Sequence, residues 1–296
     1  MSDNLMSLLR ATNPEPIAQE ACGVDQEARM RRIMTTHALA GRGRWPRPAV
    51  LLSAAAAIAA VLLVGGQLLP SQSGTVANAE LPSMLTYSPI KGHGADRAAI
   101  DELADKVAAL PAEIPNRGTV KRTGWYINFV EVESSEVASG RMEPVVAPVE
   151  VTEYPLGVDG PIYDYELSSD PDQLLRQLSE SHPIGEQGTA ELFVSIADLY
   201  FEQAPTPAVR AALLRLVAEA KGVEASTTTD RFGRVGLAVS VWSRHGGKGG
   251  IDTLIFDPAT GYLLAHEETL TEPLDEINLE VPAVLGYELL EILPSG

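Results

Sequence analysis

Histidines, paired carboxylates, one cysteine and one glycine-rich loop are the residues in this sequence most suited to chemistry. Four histidines follow the first 90 residues: His93, His182, His245 and His266. No two of them have the spacing of metal ligands, and His266-Glu267 lacks the second histidine of a zincin motif. The sequence therefore predicts no metal site and no cofactor.

Two carboxylate pairs have the i, i+2 spacing that places both side chains on one face of a strand: Glu131/Glu133 and Asp164/Glu166. Such a pair can serve acid–base chemistry, but a solvated sheet face carries the same pattern. The glycine-rich loop 246–250 lacks the Gly-x-x-x-x-Gly-Lys-Ser/Thr frame of a phosphate loop. No Gly-x-Ser-x-Gly nucleophile motif is present either. Nothing here indicates an enzyme.

Charge is distributed unevenly along the 296 residues. The net charge is −18, yet residues 1–47 hold seven arginines against five acidic residues. Residues 70–296 hold the other 15 basic residues and 35 acidic ones. A body this acidic repels nucleic acid and anionic lipid, so the sequence excludes nucleic-acid binding by the main domain.

Residues 49–69 form an uncharged apolar run of 21 residues, which as a helix would cross one hydrocarbon core. Arg42, Arg44 and Arg47 precede it, and no basic residue follows until Lys91. The positive-inside rule then predicts a single-pass protein of the cell membrane with a cytoplasmic N-terminus and an extracytoplasmic C-terminal domain. The alternatives are a buried core helix and a cleaved signal peptide ending at Ala77-Asn78-Ala79.

Residues 1–47 contain two short amphipathic patterns separated by Asn13-Pro14-Glu15-Pro16. Their apolar positions, at helical spacing, are Leu5, Leu8, Leu9, Met30, Ile33 and Met34. A tail this short has little of its own to bury them against, so they suit docking onto a cytoplasmic partner. The alternatives are a solvated tether and a helix on the inner leaflet. Cys22, the only cysteine, also lies in this tail, so the exported domain has no disulfide.

The remaining chain divides into a transmembrane helix at 48–70, a stalk at 71–95 rich in small residues and proline, and a domain at 96–296. In that domain, a first helix, alternating strands, three helices and further strands follow one another. This order predicts an α+β fold in which a curved antiparallel sheet packs on helices like a half-barrel. Asp257-Pro258-Ala259-Thr260-Gly261 predicts a hairpin turn between the segments 251–256 and 262–270.

The chain resembles a family of uncharacterised actinobacterial single-pass membrane proteins with an anti-sigma-factor-like layout. The segments that carry the resemblance are LLRATNP at 8–14, RVGLAVS at 234–240 and LIFDPATGYLL at 254–264. The outer domain is similar, more loosely, to the half-barrel of periplasmic lipoprotein carriers and sigma-regulator sensors. The tail departs from many anti-sigma domains because it lacks their zinc motif.

Two functional hypotheses follow. In the first, the protein is an envelope sensor whose outer domain binds an apolar ligand or a protein, while the tail holds a sigma factor or another cytoplasmic regulator. In the second, it is a lipid- or lipoprotein-binding envelope module, and the tail is only an anchor. Five aromatic residues could line its cavity, although such residues also pack ordinary cores: Trp125, Phe129, Phe193, Tyr200 and Trp242.

Overall fold

The computed structural model describes residues 81–90, 94–112, 118–131, 142–156, 166–275 and 277–293. The predicted tail, the apolar run 49–69 and much of the predicted stalk lie outside these residues. Five helices are described: α1 (Ala95–Ala108), α2 (Pro171–Ser181), α3 (Ile184–Gln187), α4 (Thr189–Glu202) and α5 (Pro207–Glu219). The strands are β1 (Ser88–Pro89), β2 (Thr119–Glu131), β3 (Met142–Val146), β4 (Glu150–Pro155), β5 (Val223–Thr229), β6 (Val235–Ser243), β7 (Gly250–Phe256), β8 (Leu263–Leu270) and β9 (Ala283–Leu293).

The nine strands of the described residues form one sheet, in which eight follow the order β1-β5-β6-β7-β8-β9-β2-β3 and the ninth, β4, pairs with β2. Every pairing between two strands is antiparallel. The long strand β2 pairs with β9 on one side, and β4 and β3 pair with its successive halves. The sheet is not closed, and helices pack against it. The predicted α+β class with a large antiparallel sheet on helices is confirmed.

Helix starts follow local sequence signals. Asp170 caps α2, where its Oδ1 accepts a hydrogen bond of 2.8 Å from the backbone N–H of Gln173. Thr206 caps α5 in the same way, through the N–H of Val209. Each cap is followed by a proline at the first helical position, Pro171 or Pro207, which needs no hydrogen-bond acceptor there.

The main core lies between the helices and one face of the sheet. Helix α4 contacts β6, β7, β8 and β2, while α1 contacts β5 and α5. The core includes buried side chains from both layers: Leu192, Ile196, Leu213, Val239, Leu254 and Phe256. With no cysteine among the described residues, burial and hydrogen bonding hold this part of the chain together.

Residues 81–90, which the sequence analysis assigned to the stalk, lie along the sheet; we call them the strap. β1, within the strap, pairs with β5. Leu85 and Tyr87 pack against a second apolar cluster that includes Ile255 and Leu289. Burial raises the pKa of Tyr87 to about 12. The central strands β7 and β8 are consequently buried on both faces, which differs from the half-buried pattern expected of an antiparallel sheet.

The predicted hairpin turn joins β7 to β8. Oδ1 of Asp257 accepts hydrogen bonds from the N–H groups of Ala259 and Thr260, at 2.6 and 3.1 Å. Gly261 has a φ of 68°, in the left-handed region that favours glycine. A Cβ atom there would also come within 2.6 Å of a methyl group of Val107 on α1. The turn therefore requires glycine both for its backbone and for its contact with α1.

Among the described residues, no helix is both long enough and apolar enough to span a bilayer. The predicted transmembrane segment lies outside them.

Candidate functional site

One end of the helix-facing side of the sheet is polar instead of apolar. Register places Leu254 opposite His266 and His266 opposite Glu288. Two residues further along β8 from His266, Glu268 lies opposite Asp252 of β7. These residues and their neighbours form what we call the polar cluster, whose members are Arg122, Tyr126, His182, Glu191, Asp198, His245, Asp252, His266, Glu268 and Glu288. It lies between the sheet and one side of α4.

The sheet contributes three potential metal ligands to the cluster. His266 and Glu268 share a face of β8 because they are two residues apart, and Asp252 is the cross-strand partner of Glu268. One donor atom from each of the three lies within 4.8 Å of the others. Nε2 of His266 lies 3.8 Å from Oδ1 of Asp252, beyond hydrogen-bond distance. His266 is only 7% exposed, and this buried nitrogen has no hydrogen-bond partner in the described part of the chain.

Helix α4 contributes two carboxylates that connect to the other histidines. Oε1 of Glu191 lies 3.1 Å from Nδ1 of His182, and Oε2 lies 3.5 Å from Nε2 of His245. His182 follows α2 and His245 begins the short 3₁₀ turn between β6 and β7. The same His182 ring lies 3.8 Å from Asp198, two turns along α4. Glu191 thus links three separate elements at this end of the domain.

Arg122 on β2 offsets part of the negative charge. It forms an ion pair with Glu288 and donates a hydrogen bond of 3.3 Å to the hydroxyl of Tyr126. Its guanidinium also lies 4.5 Å above the ring of Phe201 on α4. The ring of Tyr126 lies close over Gly286, where a Cβ atom would come within 2.4 Å of it. A side chain at Gly286 would therefore displace Tyr126 from the cluster.

The protonation of the cluster reflects burial and excess carboxylate. Burial raises the pKa of Asp198 above its ordinary value. Burial alone would lower the pKa of His266, but the carboxylates of Asp252, Glu268 and Asp198 outweigh that effect, so this pKa is raised. Both shifts favour the protonated form of the group, which is neutral for Asp198 and cationic for His266.

A small cavity of about 30 Å³ adjoins this site. It is lined by His245, Lys248, Asp252 and Glu268, among other residues. Nζ of Lys248 lies 3.6 Å from Oε2 of Glu268. The cavity has room for about one water molecule beside the carboxylates.

The five aromatic residues proposed to line a ligand cavity are found in different places. Phe193 and Tyr200, both on α4, are fully buried in the main core. Trp125 stacks on Tyr287 at 5.8 Å in a separate apolar cluster, against which Phe129 also packs. Trp242 is 45% exposed and donates a hydrogen bond to Thr271. The structure does not bring the five together.

The tail residues proposed for partner binding, Leu5, Leu8, Leu9, Met30, Ile33 and Met34, lie outside the described residues. So do Glu133 and Asp164, one member of each carboxylate pair considered for acid–base chemistry. The glycine-rich loop 246–250 connects two antiparallel strands, β6 and β7.

Sequence reasoning did not single out the group formed by Asp252, His266 and Glu268. Spacing along the chain could not have found it, because Asp252 lies 14 residues before His266. The available signal was the hairpin. Recognising the turn 257–261 predicts that the two strands pair, but a register shift between Ile255 and Phe256 places Asp252 opposite Glu268, whereas unshifted pairing from Phe256 and Leu263 would place it opposite Glu267. The turn therefore indicates which strands pair and does not by itself identify the group.

Comparison with protein-family models, with curated proteins and with solved structures gives no match to this chain.

Proposed function

We propose that this chain is a membrane-anchored cell-envelope protein that couples an extracytoplasmic α+β domain to a cytoplasmic regulator in the manner of an anti-sigma factor. The observation that carries the proposal is the charge pattern. A basic tail and a strongly acidic body are separated by the uncharged run 49–69. That run forms the transmembrane helix, and the positive-inside rule gives its orientation.

The outer domain has features that suit reception of a signal. One face of its sheet is covered by helices, as in the half-barrel of sigma-regulator sensors that the chain resembles. The polar cluster joins α4 to the sheet through partly compensated charges, and such a network responds to ligands or ions that change its charge. A change in the charge of the polar cluster would alter the packing of α4 against the sheet, and hence the surface that the domain presents.

Membrane topology is tested with Cys22, since it is the only cysteine of the chain. A maleimide that cannot cross membranes should leave Cys22 unlabelled in intact cells and label it after lysis. The matched protein carries C22S with Lys221→Cys, at an exposed position after α5. It should be labelled in intact cells. The reverse pattern, or labelling of neither protein before lysis, would reject the proposed orientation.

Partner binding is tested by co-purification of the tagged full-length protein in mild detergent. Replacement of Leu5, Leu8 and Leu9 by alanine should release a cytoplasmic regulator, as should deletion of residues 1–40, because both remove the apolar face that docks. The control variant, Asn4→Ala with Ser7→Ala, alters the polar face of the same segment and should retain the regulator. Identical partners for all four proteins would reduce the tail to an anchor and favour the lipid-binding alternative.

A further inference from the structure

We propose that Asp252, His266 and Glu268 form a binding site for a divalent transition-metal ion, with Zn²⁺ as the ion of best fit. The three donor groups lie under α4, and one atom from each falls within 4.8 Å of the others. This inference goes beyond the proposed function and does not depend on where the domain resides.

The arrangement of charge around Asp252 and Glu268 favours a bound cation. Asp252 and Glu268 are direct cross-strand partners, and like charges in that position repel one another. Asp252 is only 8% exposed, so water screens this repulsion poorly. Lys248 approaches Glu268 at 3.6 Å and so compensates one of the two carboxylates. A cation between Asp252 and Glu268 would convert the repulsion into coordination.

The state of His266 also favours a bound metal ion. Its Nε2 is buried, has no hydrogen-bond partner among the described residues and points to the same space as the two carboxylates. A buried ring nitrogen without a partner loses the hydrogen bonds that water would give it. Binding of a metal ion is a common way in which a protein uses such a nitrogen.

The three donor groups suit Zn²⁺ better than Ca²⁺. Zn²⁺ accepts both imidazole nitrogen and carboxylate oxygen as ligands, and its open sites hold three protein ligands with a water molecule in the fourth position. Asp252 and Glu268 line a cavity of about 30 Å³, which has room for that water. Ca²⁺ takes about six to eight oxygen ligands, and three side chains of which one is an imidazole serve it poorly.

The distances between the three donor groups are somewhat longer than those between the ligands of a bound zinc ion. Neighbouring donors of a tetrahedral zinc ion lie about 3.4 Å apart, given bonds of about 2.1 Å. The 4.8 Å limit and the 3.8 Å between His266 and Asp252 are longer than this. Zinc binding therefore requires the two carboxylate side chains to rotate towards the imidazole.

The experiment uses the full-length chain in mild detergent, purified without a polyhistidine tag and stripped with a chelator. All proteins carry C22S, because a cysteine thiolate binds zinc by itself. Calorimetric titration should show one Zn²⁺ bound per chain through this site, and zinc should raise the melting temperature. Mg²⁺ and Ca²⁺ at the same concentration should not. D252N and E268Q, each nearly isosteric, should weaken zinc binding at least about tenfold.

The variants also separate the metal site from a structural role. Without metal, D252N should melt no lower than the parent protein, because it removes repulsion between paired carboxylates and leaves the contact between Lys248 and Glu268 intact. The matched control is E267Q on the same strand, whose carboxylate lies on the opposite face beside Arg231. It should bind zinc like the parent. Failure of the parent to bind zinc, or equal zinc affinity in the parent, D252N and E268Q, would overturn the proposal.

Discussion

At the scale of single residues, Arg210 shows how one buried side chain secures the hairpin turn. It is completely buried on α5. Its Nε donates a hydrogen bond of 2.8 Å to the carbonyl of Thr260, and its guanidinium lies 3.8 Å over the ring of Tyr262. A second donor reaches the carbonyl of Pro205 at 2.8 Å. Tyr200 on α4 adds a hydrogen bond of 2.9 Å to the carbonyl of Gly261. The turn is thus held by two helices.

Substitution of Arg210 by methionine should lower the free energy of unfolding by about 3 kcal/mol, because the carbonyls of Thr260 and Pro205 lose their donor. Urea unfolding followed by tryptophan fluorescence measures this. The control is Arg215→Met on the same helix, where the arginine pairs with Asp105 at a largely exposed position. It should cost less than about 1 kcal/mol. Similar losses in both variants would show that Arg210 does not secure the turn.

At the scale of elements, Asp230 and Arg234 lie at the turn between β5 and β6 and connect this hairpin to strands β8 and β9. Asp230 accepts hydrogen bonds of 2.9 Å from the N–H groups of Phe232 and Arg234, and its side chain is fully buried. Arg234 donates in turn to the carbonyls of Leu264 on β8 and Leu290 on β9, at 2.8 and 2.7 Å. This one turn is therefore joined by hydrogen bonds to two other strands, β8 and β9.

Replacement of Asp230 by alanine should lower the free energy of unfolding by about 3–5 kcal/mol, because it leaves Arg234 and two backbone donors without their acceptor. The comparison variant is Asp101→Ala, whose carboxylate pairs with Arg97 at the surface of α1. That change should cost less than about 1 kcal/mol. A loss below 1 kcal/mol for D230A would mean that the sheet does not rely on this turn.

At the scale of the whole molecule, the strap determines whether the sheet is covered on both faces. Leu85 and Tyr87 pack on it, and Arg231 donates a hydrogen bond of 3.1 Å to the carbonyl of Ser83 while pairing with Glu267. The hydroxyl of Thr228 reaches the carbonyl of Thr86 at 2.9 Å. The domain therefore begins before the helix at which the sequence pattern first becomes regular.

A chain that starts at Asn78 should fold cooperatively, whereas one that starts at Lys91 should bind a hydrophobic dye and unfold at lower urea concentration. Leu85 and Tyr87 are partly buried, so together they contribute less than the roughly 3–6 kcal/mol expected of two fully buried side chains. The double variant Leu85→Ala, Tyr87→Ala in the full chain should reproduce part of the loss. Met84→Ala, at an exposed position, should not. Equal stability of the two truncated chains would assign the strap no part in the fold.

Features that depend only on residues close together in the chain can be predicted from the sequence. Caps such as Asp170 and Thr206 and the glycine of the turn at 261 depend on local hydrogen bonds and steric limits. The α+β class followed from the order of these elements. The tail and the apolar run remain predictions, since they lie outside the described residues.

Tertiary structure alone decided which distant residues share a site. Strand pairing brought Asp252 to Glu268 and His266, and the packing of α4 brought Glu191 between His182 and His245. It also separated aromatic residues such as Trp125 and Tyr200 into different clusters. The physical reason is that register and layer packing are set by the burial of many side chains at once. The spacing of residues along the chain does not reveal the combined effect of that burial.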